Sequence, residues 1–190
     1  MGSLITSSYQ YFPLCLAVLA VRSLGGRDRQ VCSQDGCNFV HWGNPVPVVA
    51  GIVERDNCVI LVRSQGWPED WYGLVTGFLE TGERSEDAIL REVHEELGID
   101  ARHGHFVGTY PFEEQNQIIF VYHLYGRDGA VRLCQEELAA YKEVPIEKLR
   151  PWSKGTGPAL RDWLASRGYH PLPLRQTSPC LLYTSAAAAE

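Results

Sequence analysis

The chain has 190 residues, 45% of them apolar, which gives room for one full core and a small appendage. Its formal net charge of −6 provides no basic footprint, so nucleic acid is not an expected partner. No apolar run reaches membrane-spanning length, so no membrane partner is expected either.

From the N-terminus, residues 12–21 (FPLCLAVLAV) are apolar enough to raise a signal peptide, but no Lys or Arg precedes them. The n-region of such a peptide normally carries one, and a cytoplasmic protein is expected. The cysteines Cys15, Cys32, Cys37, Cys58, Cys134 and Cys180 lack the dense spacing of a secreted disulfide scaffold, which fits a reduced compartment. Cys58 and Cys134 read as buried free thiols. Residues 46–53 (VPVVAGIV) and 58–63 (CVILVR) read as two strands joined by a turn over 54–57. A tryptophan-rich loop, 65–72, leads to the short apolar run 73–79. A helix is expected next, with Ser85 as N-cap, Glu86 and Asp87 in its positive first turn and Gly98 as its C′ stop. Ile89, Leu90, Val93 and Leu97 recur at helical spacing as its buried stripe. Residues 106–112 and 117–125 are strand candidates, 134–140 a short acidic helix, 141–144 a strand and 157–167 a closing helix. The segment 176–190 fits no element; it reads as read-through sequence and is expected to carry no function.

The helix places Glu92, Glu95 and Glu96 at i, i+3 and i+4, on a face apart from the stripe. Like charges at these spacings cost a few tenths of a kcal/mol per pair, about 0.2–0.5 each, which Arg91 offsets through Glu95. A solvated acidic face is the ordinary meaning of such a run. Here Gly77 and Gly82 frame an apolar stretch ending in Glu83, as a tight loop before a helix does. Carboxylates with carbonyl oxygens are hard ligands suited to Mg²⁺ or Mn²⁺, which also bind substrate phosphates.

The pattern runs from Gly77 through five spacers to Glu83. Seven more spacers lead to Arg91-Glu92-Val93-His94-Glu95-Glu96-Leu97-Gly98-Ile99. At these residues the chain resembles the Nudix hydrolases. The resemblance implies an α/β fold, an α/β/α sandwich with a mixed β-sheet, occupying residues 45–168 between an arm (1–44) and a tail (169–190). It also implies hydrolysis of a nucleoside diphosphate linked to another moiety, giving a nucleoside monophosphate and a phosphorylated remainder. The expected partner is a small-molecule nucleotide substrate, and a homodimer is compatible with the family. By the same resemblance Glu92, Glu95 and Glu96 are metal ligands and Glu92 is also the candidate base. Arg91 orients a glutamate, Glu83 supports the metal shell and Gly77 allows close backbone approach. One more acidic ligand is expected from a later loop: Glu136 or Glu137, with Glu113 and Glu114 as rivals.

Residues 38–49 resemble the domain entry of Nudix hydrolases that carry an N-terminal zinc ribbon, the group that includes NADH pyrophosphatase. A ribbon needs two cysteine pairs. Here Cys32 and Cys37 form one pair, while Phe12 stands where the partner of Cys15 belongs. Cys15, Cys32 and Cys37, with His41 as a further candidate, are the ligands a degenerate ribbon would offer zinc; the alternative is that the first 25 or so residues are a poorly bounded start and Cys32 and Cys37 are remnants.

Trp67, Trp71, Tyr72, Tyr110 and Phe112 are candidate substrate contacts, with Gln115 and Asn116 offering edge hydrogen bonds; packing is their alternative role. The stretch Tyr110-Pro111-Phe112-Glu113-Glu114-Gln115 departs from the Ser-Gln-Pro-Trp-Pro-type motif of NADH pyrophosphatases. Gln115 also replaces the proline that marks many ADP-ribose hydrolases. The chemistry is therefore specified and the substrate is not. A nucleotide sensor of the same fold is the alternative, although such regulators commonly lose box glutamates that this chain retains.

Overall fold

The computed structural model describes residues 11, 12 and 15–172, so the segment 176–190 lies outside the described residues. The chain divides into two compact units, Met1–Asn44 and Pro45–Glu190.

The first unit is a small antiparallel sheet of β1 (Leu19–Leu24), β2 (Arg27–Cys32) and β3 (Val40–His41), in the order β1-β2-β3. Leu24 pairs with Arg27 across Gly25 and Gly26, whose φ values of 60° and 76° are those of a two-residue hairpin turn.

The second unit is built on a mixed sheet. Its strands are β4 (Val46–Arg55), β5 (Cys58–Ser64), β6 (Val75–Phe78), β7 (Ala101–Phe112), β8 (Gln117–Gly126) and β9 (Leu138–Pro145). The order is β7-β8-β4-β5-β9, with β6 paired to β4. Only β4 and β8 run parallel, and they form the centre. Covered on both faces, β4 needs a nearly continuous apolar run, as its sequence provides. Val48, Ala50 and Ile52 face one core cluster with Ala159, Leu160, Trp163 and Leu164 of helix α2 (Gly157–Ser166). Val49 and Val53 face the other with Ala88, Ile89, Val93 and Leu97 of helix α1 (Ser85–Leu97). At Gly51 a Cβ would meet Ile89 and Leu124 at 3.2 Å, so the missing side chain lets α1 settle on the sheet.

Several expectations are corrected. Residues 134–140 are not an acidic helix: residues 135–137 form a turn and β9 begins at Leu138. β7 starts five residues before the expected 106. Its added stretch is bulged between His103 and His105, where a Cβ on Gly104 would lie 2.4 Å from Nδ1 of His123. The turn after β4 is tighter than expected, with Asp56 and Asn57 both at positive φ. Arg84, extended at φ −85° and ψ 140°, and not Ser85, occupies the N-cap of α1; the Ser85 hydroxyl, already inside the helix, lies 2.8 Å from the Tyr122 hydroxyl. Gly98 ends the helix at φ 63°, as read. Cys58 and Cys134 are half-buried free thiols rather than fully buried ones.

On the α2 side, His123 is 2% exposed and its Nε2 lies 2.7 Å from Glu54. Burial holds the His123 imidazole below its ordinary pKa. Burial alone would raise Glu54, but Arg167 and His123 bond to it and hold its carboxyl low. Among the described residues no helix is long and apolar enough to cross a membrane.

Candidate active site

Two local features bring the box residues together. β6 runs beside α1, and the turn that follows delivers Glu83 to the helix face. Arg91, nearly two turns into α1, is the hub. Its Nε and Nη2 donate to the two carboxylate oxygens of Glu83 at 2.9 Å each, a bidentate pair. Its Nη1 donates to Glu92 at 2.7 Å and to Glu95 at 2.9 Å, and its Nη2 reaches the Phe78 carbonyl at 3.3 Å. The Arg91 hydrogen bonds hold the Glu83 carboxyl below its usual range. One guanidinium therefore fixes three carboxylates, which relieves the like-charge strain between Glu92 and Glu95 but does not reach Glu96.

Gly77 sits directly against this group. A Cβ there would fall 1.9 Å from Cδ of Glu92 and about as close to both its oxygens, at 2.0 and 2.3 Å. The glycine is what leaves room for that carboxylate. Burial pushes Glu92 above its ordinary pKa, against the opposing pull of Arg91.

Glu96 departs from the acidic-face reading. It is 6% exposed, facing inward rather than to solvent, and its Oε2 is buried without a hydrogen-bond partner. The backbone N–H of Cys134 donates to the Glu96 carbonyl, and that of Arg132 to Leu97, so residues 132–134 run along the end of α1. Burial first, then the charges of Glu92, Glu137 and Glu95, push the Glu96 carboxyl up to about 9. A buried, orphaned carboxylate among like charges is a donor set that a divalent cation fits.

Of the later acidic candidates, Glu137 lies close enough for its charge to act on both Glu92 and Glu96. Glu136 occupies the same turn. Glu113 and Glu114 form a 3₁₀ turn after β7, where Lys154 bonds Glu114 at 2.5 Å. Tyr72, Tyr110 and Phe112 pack into the cluster under α2, not the one under α1. The Tyr110 hydroxyl is spent on Asp162 at 3.1 Å, and Lys142 lies 3.8 Å over the Tyr72 ring. Trp67 is half-buried, with Gly73 beneath its ring, and Trp71 is also half-buried. Gln115 and Asn116 close the 3₁₀ turn, where Asn116 adopts φ 48°. The Phe78 carbonyl was not legible as a partner of Arg91, because a backbone acceptor leaves no mark on composition.

In the first unit the Sγ atoms of Cys15, Cys32 and Cys37 lie within 4.8 Å of one another, and those of Cys15 and Cys32 are 3.6 Å apart. Gln34 N–H donates to Cys32 Sγ at 3.4 Å. The backbone N–H of Phe39, followed by the Cys32 contact, holds the Cys37 thiol low. Phe12 stacks on Phe39 with centroids 4.0 Å apart, and His41 is not part of the thiol group.

The model of the family described as "NUDIX domain" matches residues 44–166. An NAD-capped RNA hydrolase NudC of Vibrio parahaemolyticus is 30% identical over 114 residues, 57% of this chain and 44% of that protein. The NudC of Vibrio vulnificus is 24% identical over 78% of this chain and 59% of its own length. The chain thus spans about half the length of these curated relatives. Among solved structures, a NUDIX hydrolase from Nitrosomonas europaea shares the fold at TM-score 0.67 and 20% identity, over 87% of this chain and 97% of that one. A UDP-X diphosphatase aligns at TM-score 0.54 and 25% identity, over 70% of this chain and 68% of its own.

Proposed function

The chain belongs to the NUDIX family, and from that premise we propose that it is a divalent-metal-dependent pyrophosphohydrolase acting on a nucleoside diphosphate linked to a further group. The observation that carries this reading is the buried, unpartnered Glu96 carboxylate set among Glu92, Glu95 and Glu137. Glu92, Glu95 and Glu96 would hold Mg²⁺ or Mn²⁺, with Glu137 preferred over Glu136 as the added acidic ligand. The bound ion would supply positive charge to the phosphates and lower the pKa of bound water. Glu92 is the base: Arg91 ties down its Oε1 and so orients the carboxylate to accept a proton from water. Arg91 and Glu83 are positioning residues, and Gly77 keeps the Glu92 carboxylate in place. The retained box glutamates favour an enzyme over a nucleotide sensor.

Similarity to NAD-capped RNA hydrolases brings nucleic acid back as a candidate substrate, against the expectation from net charge. The test is release of nucleoside monophosphate from ADP-ribose, NADH, NAD-capped RNA, nucleotide sugars, diadenosine polyphosphates and nucleoside triphosphates. Each is run with Mg²⁺, with Mn²⁺ and with chelator. Metal-dependent product from at least one is expected. Silence across the panel, in a folded protein that one nucleotide stabilises, would overturn the enzyme in favour of the sensor.

The thiol group carries a second, structural proposal: Cys15, Cys32 and Cys37 bind one zinc ion. Tetrahedral thiolates at zinc–sulfur distances of about 2.3 Å stand roughly 3.8 Å apart. The 3.6 Å between Cys15 and Cys32 is close to that spacing. Protein purified from zinc-supplemented cells should retain about one zinc per chain, and Cys32→Ser should lose it while turnover is kept. Retention of no zinc by the unaltered protein would end the proposal.

A further inference from the structure

An open cavity of about 590 Å³ is lined by Gln65, Arg132, Gln135 and Tyr141 over an apolar floor that includes Leu133 and Leu138. That volume falls in the range of small-molecule sites, about 300–1,000 Å³. The cavity and the acidic site share one piece of chain. Residues 132–134 are tied by backbone hydrogen bonds to Glu96 and Leu97, and the turn that follows carries both Gln135 of the cavity and Glu137 of the acidic cluster. A diphosphate held at the carboxylates therefore has this cavity next to it.

The two arginines here differ in state. Arg91 spends its guanidinium on Glu83, Glu92 and Glu95. Arg132 is exposed, its Cβ is packed against Gly98, and its guanidinium has no partner among the described residues. A free planar fork of donors recognises carboxylate or phosphate in two-point fashion. Gln65 is fixed by donating its amide N–H groups to the carbonyls of Gln135 at 2.9 Å and Leu138 at 3.2 Å. Its Oε1 is thereby left to accept from a hydroxyl, and the Tyr141 hydroxyl can donate or accept. An anion receptor flanked by hydroxyl-binding groups suits a sugar that carries an acidic substituent.

We propose that the Arg132 cavity receives the group beyond the diphosphate and selects substrates in which that group bears a carboxylate or an extra phosphate. This rests on the pyrophosphohydrolase reading above, but it makes a separable claim about binding.

The test uses matched pairs differing by one anionic group: UDP-glucose with UDP-glucuronate for a carboxylate, and ADP-ribose with ADP-ribose 1″-phosphate for a phosphate. Affinity is measured by calorimetry with Ca²⁺, and kcat and KM with Mg²⁺, for the unaltered protein, Arg132→Gln and Arg132→Lys. Thermal unfolding of each variant checks the fold. In at least one pair the acidic member should bind about tenfold or more tightly, as a charge-assisted bond supplies. Arg132→Gln should erase that advantage through KM with kcat little changed, and Arg132→Lys should restore part of it. The pair that responds tells carboxylate from phosphate. No preference in either pair, or a preference that survives Arg132→Gln, overturns the proposal. A binding preference without turnover would uphold it while sinking the hydrolase reading, and turnover without preference would do the reverse.

Discussion

Glu96→Gln is expected to cut turnover about 10²–10³-fold while making the metal-free protein more stable. Both effects follow from one carboxylate. Glu96 is buried, its Oε2 lacks a partner, and its carboxyl sits at about 9, against an ordinary value of 4.5. The folded chain therefore keeps a proton that the unfolded chain has released, and this contribution opposes folding. It is absent below pH 4.5, grows as pH rises from 4.5 toward 9, and then levels off. Glutamine has nearly the same volume and does not ionise. In chelator, the melting temperature of the variant should exceed that of the parent by a margin that widens from pH 5 to pH 8. With Mg²⁺ or Mn²⁺ the order should invert. The parent gains stability as the ion takes the place of the proton, increasingly so at higher pH, and the variant gains little. A variant that keeps both metal-induced stabilisation and full turnover would remove Glu96 from the site.

The inward position of Glu96 also marks where sequence reading stops. The stripe Ile89, Val93 and Leu97 and the stop at Gly98 were legible because they obey helical period and a left-handed cap. β4 and β5 were legible because strands covered on both faces read as unbroken apolar runs. By period alone Glu96 belongs with Glu92 on the outer face. Residues 132–134 pass along the end of α1 beside it, a long-range approach that leaves no local signature. The strand at 141–144 was legible, but the first residues of β9 were misread for a related reason. Leu138, Ala139 and Ala140 favour helix by propensity, but pairing with β5 through Tyr141 and Lys142 decides the conformation of an edge strand whose own side chains are largely exposed. Arg132 carried no signal either: a lone surface arginine acquires meaning only from the cavity it lines and from its lack of a partner. The box could be read because its meaning is local, whereas its surroundings are assembled by topology.

Gly77→Ala is the second change with a large expected effect, and it tests geometry where Glu96→Gln tests charge. The added methyl would occupy the space of the Glu92 carboxylate, 1.9 Å from its Cδ. The clash is with the end of a flexible side chain and not with backbone, so Glu92 swings away and the fold survives. Displacement by an ångström or more is enough to cost a catalytic group about 10²-fold. The expected result is a kcat lower by about that factor, with a melting temperature close to that of the parent protein. Arg91 loses its contact with Glu92 but keeps Glu83 and Glu95, so the bidentate anchor of the loop remains. Pairing the change with Glu92→Gln separates the outcomes. If Gly77 acts only by making room for that carboxylate, the double variant should be no slower than Glu92→Gln alone. An additive loss would mean that Gly77 serves the site by some other route, such as approach of substrate to its backbone. Full activity in Gly77→Ala would show that Glu92 need not stand where the structure places it, and the role of base would pass to another residue.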